Sequence, residues 1–342
     1  MISVIEPGLF TTVQDLGREG LGHLGVPKAG AADVFNLRIA NRLVGNHDGV
    51  AAVELTGRGG LLRFEAAAHI ALAGGAVEAS LDGQPLSPYQ TITVPAGAEL
   101  ALGPIHGGWR TYLAVGGGLK LPPVLGSAST DTLSGLGPMP LAAGMRLPVG
   151  AQAGEPAFYM RNPPEYGNKA RLRILAGPQQ DWFTGEATAA LLQGEYRALP
   201  QSDRTGLRLE GPVLARRNDA ELPSQGMVAG ALQVPGDGQP IVLLPNHGAT
   251  GGYPVIANVI SADLGALAQL PPGARLRFEL VSRAEALAAL RVQEERLERD
   301  IVSADASLLA ARALMTLANR HATLQQAAVS DGKRRIRIRR GR

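Results

Sequence analysis

The sequence predicts a mainly β protein built of two domains and finished by a helical extension. Three observations carry this prediction. The chain has 342 residues, more than one ordinary domain and enough for two of roughly 150 each. Gly (44) and Pro (24) punctuate short apolar runs throughout, without the fixed period of a fibrous repeat. Hydrophobic residues make up 45% while aromatics make up only 4%, so the core must be aliphatic.

The elements follow in order. Ile2 to Ile5 is a first short strand, and Thr11 to Asp33 reads as a polar, Gly-punctuated segment. A helix is expected from about Ala31 to Val44, where Val34, Leu37, Ile39, Ala40 and Leu43 form an apolar face and Gly45-Asn46 a stop. Strand-length runs follow at Leu61–Phe64, His69–Leu72, Glu78–Leu81, Thr91–Val94, Glu99–Leu102 and Thr111–Val115, with turn residues between them, which suggests a barrel or sandwich. Residues 151–169 are rich in Pro and Gly and read as a linker between a β unit over 1–150 and a second over 170–282. The second unit has strands near Arg171–Leu175, Gly206–Glu210, Met227–Val234, Ile241–Leu244, Val255–Val259 and Arg275–Glu279. Short helices are expected near Thr184–Leu192 and Ser261–Leu270.

From Ser282 the pattern turns helical. Ser282 and Glu285 have capping-box spacing. Leu287, Leu290, Leu297, Ile301, Ala304, Leu308, Ala311, Met315 and Ala318 recur at three- and four-residue spacing. Such a stripe suits a helix packed on the body or a coiled-coil seam, over an extension assigned to 283–330. Residues 331–342 form a basic tail, expected to be disordered.

Composition excludes several classes. The chain contains no Cys, which removes disulfide scaffolds, iron–sulfur clusters, Cys₄ zinc sites and thiol catalysis. The six His are far apart and no HExxH spacing occurs, so no metal site is expected. The start lacks a signal-peptide pattern and no run of apolar residues is long enough to span a bilayer, so the expected location is the cytoplasm, with no membrane partner. The net charge of +3 belongs to the tail. Residues 291–342 hold 12 Lys/Arg and 6 Asp/Glu, whereas the first 290 residues hold 21 and 24. Nucleic acid is therefore not an expected partner of the body, and only the basic tail offers it a footing.

Three constellations could carry chemistry. Leu244-Pro-Asn-His-Gly-Ala-Thr-Gly-Gly-Tyr-Pro254 follows an apolar strand. Its Gly251 and Gly252 let backbone N–H groups approach an anion, and the Thr250 and Tyr253 hydroxyls could bind a carboxylate or phosphate. It is no P-loop, because no Gly-Lys-Ser/Thr follows, and a tight turn is its plainer reading. Asp203 and Arg204 stand together before a strand, either as an ion pair in a capped turn or aimed at a polar substrate. The segment holding Gln14, Asp15, Arg18, His23, Lys28 and Asp33 is dense in polar groups for a plain loop, though Asp33 could simply cap the following helix.

At these residues a resemblance becomes specific. FTTVQDLGREGLGHLGVPKAGAADVFNLRIANRLVGN resembles the start of the biotin-dependent carboxyltransferase / allophanate hydrolase subunit 2 family. Further motifs follow in order: YLAVGGGLKLPPVLGSASTDT, ILAGPQQDWFT, SDRTGLRLEGP, GALQVPGDGQPIVLL and TGGYPVIANVISADLGALAQL. The similarity covers residues 1 to about 282. The family includes the C-type subunit of bacterial 5-oxoprolinase, the KipI antagonist and the carboxyltransferase region of urea carboxylase. The chain departs from the family pattern at Ala31-Ala32, at Gln225 where Glu is usual, and at Asn246-His247 where an Asp-Arg pair is usual.

The resemblance implies two cyclophilin-like β-barrel subdomains. It implies a hydrolase subunit, inactive alone, that opens the lactam of 5-oxoproline to glutamate with ATP, in a hetero-oligomer with a B-type (KipI-like) and an A-type (LamB/YcsF-like) subunit. The ATP site is not located by the sequence. The substrate is a small polar amide. The alternatives it implies are a carboxyltransferase half of a biotin-dependent enzyme, with biotin arriving on another chain because no Ala-Met-Lys-Met motif is present, and a non-enzymatic antagonist of a KipI-like protein. On this reading Asp203 and Arg204 orient or polarise the substrate. Gln233, Thr250, Gly251, Gly252 and Tyr253 line the pocket, and Arg18, His23 and Asp33 form a second polar patch.

Overall fold

A computed structural model describes residues 1–218, 220–305, 308, 309 and 311. The first β unit is a nine-stranded sheet of β1 (Ile2–Glu6), β2 (Phe10–Gln14), β3 (Ala52–Thr56), β4 (Leu61–Phe64), β5 (Ala68–Leu81), β6 (Gln84–Pro85), β7 (Ile92–Val94), β8 (Glu99–Val115) and β9 (Arg146–Leu147). The order is β2-β3-β8-β4-β1-β9, with β5 against β6, β7 and β8. The sheet curls as a half-barrel over an aliphatic core that includes Ile2, Val53, Leu72, Leu100 and Leu113.

Two features differ from the sequence reading, each for a physical reason. The polar run after residue 10 contains β2, whose residues 11–14 are all buried. Its polar groups bond internally: Gln14 Nε2 donates to Thr12 Oγ1 (3.0 Å) and to the Thr130 carbonyl (3.1 Å). The paired short strands expected at 69–72 and 78–81, and at 99–102 and 111–115, are single long strands, β5 and β8. The glycines that read as breaks are bulges. The register shifts between Gly74 and Ala76, and at Gly74 (φ 130°) an added Cβ would lie 2.4 Å from the Arg110 carbonyl oxygen.

Helix α1 (Val34–Leu43) begins where Asp33 Oδ1 accepts the Asn36 N–H (3.1 Å) and ends at Val44-Gly45. Its buried Phe35, Leu37, Ile39, Ala40 and Leu43 pack on Ala71, Ala73, Tyr112 and Ala114 of β5 and β8. Strand β10 (Phe158–Met160) lies inside the stretch expected as linker.

The second unit is a closed seven-stranded barrel. Its strands are β11 (Lys169–Ala176), β12 (Tyr196–Ala198), β13 (Gly206–Glu210), β15 (Ala231–Gln233), β16 (Ile241–Leu243), β18 (Val255–Val259) and β19 (Arg275–Leu280). The order β11-β18-β15-β16-β13-β12-β19 closes through a parallel β11–β19 pair. A two-stranded ribbon of β14 (Gln225–Gly226) and β17 (Thr250–Gly251) stands beside it. Helices α2 (Gly185–Gln193) and α3 (Leu264–Ala268) match the two short helices expected from the sequence, the second shortened to one turn after a 3₁₀ segment at Ser261–Asp263. Closure removes the exposed edges that the first sheet keeps.

The extension begins with α4 (Arg283–Asp300), started by a full capping box at Ser282/Glu285. Its apolar stripe does not form one seam. Leu287 is 47% exposed, Leu297 is buried with the α1 core, and Ile301 opens a strand, β20 (Ile301–Ser303), that pairs with β10. Helix α4 thus straps the two units together. Gln293 donates to the Ala262 carbonyl of the barrel (3.0 Å), while Glu294 and Glu298 pair with Arg38 and Arg42 of α1 (2.6 and 2.7 Å). Most of the expected continuation to 330, and the basic tail, lie outside the described residues.

Candidate functional site

A cavity of about 640 Å³ opens between the two β units. The segment 16–38 forms one side, the stretches 227–229 and 243–249 with the start of α3 form the other, and Leu290, Gln293 and Glu294 of α4 form a third wall. Segment 16–38 can fold back because Gly17 and Gly30 meet at its base, both at φ 87°. A Cβ on Gly17 would lie 2.5 Å from the Lys28 carbonyl oxygen. The walls are largely apolar, with Val34, Phe35, Val228, Leu243 and Leu264 among them, and a few polar groups converge on the space, as in small-molecule sites.

The lining charges are mostly paired with one another. Lys28 bonds Glu19 (2.7 Å), and Arg38 bonds Glu294 and Asp48 (2.6 and 2.8 Å). Arg18 is different. It is 2% exposed, its Nε donates to the Val124 carbonyl (3.1 Å) and its Nη2 to the Ser129 carbonyl (2.8 Å), and its Nη1 has no partner among the described residues. That nitrogen has almost no accessible surface, and the guanidinium is turned toward Val124 and Ser129, which do not line the cavity, so it is a buried orphan donor and not one open to a ligand. His247, 7% exposed, supplies a polar group to the wall. Its Nδ1 lies 2.7 Å from the Gly248 carbonyl, and burial holds its pKa below the ordinary imidazole range.

Behind the cavity lies a dry, charged seam. Glu54 of β3 is fully buried between Arg204, which bonds its Oε1, and Arg110, 3.6 Å away. Its Oε2 accepts from the Ala32 N–H (3.0 Å) and the Tyr112 hydroxyl (2.7 Å). Burial alone would raise its carboxyl, but Arg204 and Arg110 outweigh that and hold it below the usual range. Arg204 also donates to the Gly30 carbonyl and to Asn246 Oδ1 (3.3 Å), so one barrel side chain reaches both units. Asp33, equally buried, is pushed up by desolvation, partly offset by donors from Gln269 (2.9 Å) and Asn36 (2.6 Å). Gln269 spans the units as well, because its Oε1 accepts from the Trp109 and Arg110 N–H groups (2.9 and 3.0 Å).

The residues singled out from the sequence thus do not share one place. Arg18 lines the cavity. Arg204 and Asp33 belong to the buried seam, Asp33 also serving as the N-cap of α1. Thr250 and Gly251 form β17, paired with Gly226 and Gln225, followed by exposed Gly252 and half-exposed Tyr253. Gln233 reaches this ribbon and the cavity wall together, through a bond from its Nε2 to Met227 Sδ (3.3 Å). Asp203 is exposed and turns its carboxylate onto its own loop, accepting from the Thr205 and Gly206 N–H groups (2.7 and 3.2 Å). His23 is exposed in a 3₁₀ turn, Gly22–Leu24, and does not line the cavity. The sequence reading missed Glu54, Arg110, Gln269 and the position of His247. A single Glu inside the apolar run Ala52–Leu55 was the available signal for the first. The others carry no local signature.

The profile of the family described as "Carboxyltransferase domain, subdomain A and B" matches residues 24–280. The chain is 40% identical to the C-type subunit of 5-oxoprolinase from Escherichia coli over 304 residues, 87% of this chain and 97% of that protein. Among solved structures, the urea amidolyase of K. lactis superposes with a TM-score of 0.82 at 28% identity, over 86% of this chain and 20% of that one. The protein TTHA0988 superposes with a TM-score of 0.75 at 38% identity, over 81% of this chain and 56% of that one. The chain therefore spans about half of one solved relative and a fifth of the other, but nearly the whole of the bacterial protein. It belongs to the carboxyltransferase-domain family, and its half-barrel and closed barrel are the two β subdomains that the resemblance implied. Within that family it is homologous both to the C-type subunit of 5-oxoprolinase and to the carboxyltransferase region of urea amidolyase.

Proposed function

We propose that the chain is the C-type subunit of an ATP-dependent 5-oxoprolinase in the cytoplasm, inactive alone, and that its inter-unit cavity holds the cyclic amide. The carrying observation is the full-length match to the E. coli protein, with 97% of that protein covered. The cavity supports the reading chemically, since apolar walls suit a small ring and His247 supplies a polar group for its amide. The A- and B-type subunits would complete the enzyme.

ATP fits this cavity poorly. A triphosphate needs several uncommitted donors, whereas Lys28 and Arg38 are already tied to Glu19 and Glu294. Nucleotide binding is therefore placed outside this cavity.

The test is ATP-dependent glutamate release from 5-oxoproline by this chain alone and then with its A- and B-type partners. Activity only in the full mixture is expected. A folded, assembled complex without activity would transfer the reading to carboxyl transfer from carboxybiotin held on another chain. The urea amidolyase superposition favours that second reading. Carboxylation of urea by the chain paired with a biotin-bearing partner would establish it.

A further inference from the structure

His247 sits in the wall of the cavity opposite segment 16–38, on the stretch that follows β16. A carbonyl oxygen can only accept, so the 2.7 Å contact with Gly248 fixes the proton of a neutral ring on Nδ1. Nε2 is then left with a lone pair, and no hydrogen bond among the described residues reaches it. The backbone holds the ring in place on both sides, as the His247 N–H donates to the Leu244 carbonyl (2.9 Å). Asn246, the preceding residue, is locked between Arg204 and Asp131 (3.3 and 3.2 Å), so the imidazole stands on a rigid base rather than a free loop.

The charged groups that face this space are Arg18, Glu19 and Lys28 from the folded-back segment, Arg38 from α1 and Glu294 from α4. All but Arg18 are paired with opposite charges, so no free carboxylate is present to protonate the ring. The cavity therefore offers one fixed acceptor, His247 Nε2, between apolar walls.

We propose that His247 determines specificity in this cavity by accepting a hydrogen bond from the N–H of a small amide. The proposal rests on the cavity being the substrate site. It adds the requirement that the ligand have an amide N–H, and that binding weaken when the ring gains a proton and Nε2 becomes a donor. Because burial disfavours the charged ring, that loss falls below the ordinary imidazole range and the site is neutral near pH 7.

The experiment uses the assembled complex with ¹⁵N-imidazole label in this chain only, the His247 signals being assigned from the His247→Gln variant. 5-Oxoproline and its N-methyl derivative, which lacks the N–H, are titrated at about pH 7.5 and about pH 5. We expect 5-oxoproline to shift the His247 Nε2 signal, and His247→Ala to weaken its binding about tenfold, the scale of one lost hydrogen bond. The N-methyl derivative should bind wild type about tenfold more weakly than 5-oxoproline and bind His247→Ala no worse than it binds wild type. His247→Gln, whose amide oxygen replaces the Nε2 acceptor, should bind without the loss at low pH, and its thermal unfolding reports whether the fold is intact. An unmoved His247 signal, absence of binding, or equal affinity for the two ligands in wild type overturns the proposal. Turnover measured on the same complex separates the two ideas, since turnover with a silent His247 removes this inference and keeps the oxoprolinase reading, and no turnover with a responsive His247 does the reverse.

Discussion

The seam and the cavity lie side by side between the same two β units, and they treat polar groups in opposite ways. In the seam, Glu54, Arg204, Arg110, Asp33 and Gln269 are buried and bonded to one another or to backbone across the junction. In the cavity, charges at the rim are paired, while His247 Nε2 has no bonded partner among the described residues. The difference teaches which residues hold the site and which are left to meet a ligand. Buried groups bonded across the junction orient the two units, even though Arg110 Nε has no hydrogen-bond partner among the described residues. Buried groups with capacity to spare, beside an apolar space, are where recognition is expected.

The sharpest way to break this comparison is to remove one partner of the seam. Arg204→Met would leave Glu54 buried with less compensation and should destabilise the fold by about 3–5 kcal/mol in urea unfolding. A change below about 1 kcal/mol would show that the seam does not depend on the pair. The pH dependence follows from the same group. The folded pKa of Glu54 is depressed, so its contribution is present above the unfolded value and lost as pH falls through the lower folded value. Glu54→Gln should therefore flatten the acid side of the stability curve as well as lower its plateau. Next in size is the strap. Leu297→Ala empties a buried contact between α4 and the α1 core and should cost about 2–5 kcal/mol. Gly265→Ala brings a Cβ to 2.7 Å from Asp33 Oδ1, and about 1–3 kcal/mol is expected, read by thermal unfolding. The smallest effect belongs to Asp203→Ala. It removes a turn cap at the surface and should cost about 1 kcal/mol or less, with turnover of the assembled complex unchanged.

Much of this molecule can be read in its sequence. Strands Leu61–Phe64, Gly206–Glu210 and Val255–Val259, the capping box at Ser282 and the end of α1 at Gly45 follow from local rules that tertiary contacts did not override. The misreadings share one cause, which is long-range context. The glycine-bearing stretch between the runs at 69–72 and 78–81 looked like a turn, yet pairing with β8 makes it a bulge at Gly74. Thr11 and Thr12 looked like part of a polar loop, yet the chain around residue 130 buries the strand they belong to. The stripe from Leu287 looked like one seam, but the helix ends at Asp300, where β20 finds β10 as a partner.

The site divides in the same way. Polar density between residues 14 and 33 pointed to Arg18 and Asp33, and motif similarity to Arg204 and Thr250–Tyr253. The sequence could not sort these among seam, ribbon and cavity, because the sorting depends on contacts such as Arg204 with Glu54, 150 residues apart. His247 was visible only as a departure from the family pattern, and it is the cavity that gives it a role.

The most direct measurement is a crystal structure of the assembled complex with 5-oxoproline bound. The account predicts the ligand in the cavity between the two units, its ring nitrogen within hydrogen-bond reach of His247. A ligand seated at the Gln225–Tyr253 ribbon, or wholly on a partner subunit with this cavity empty, would contradict it.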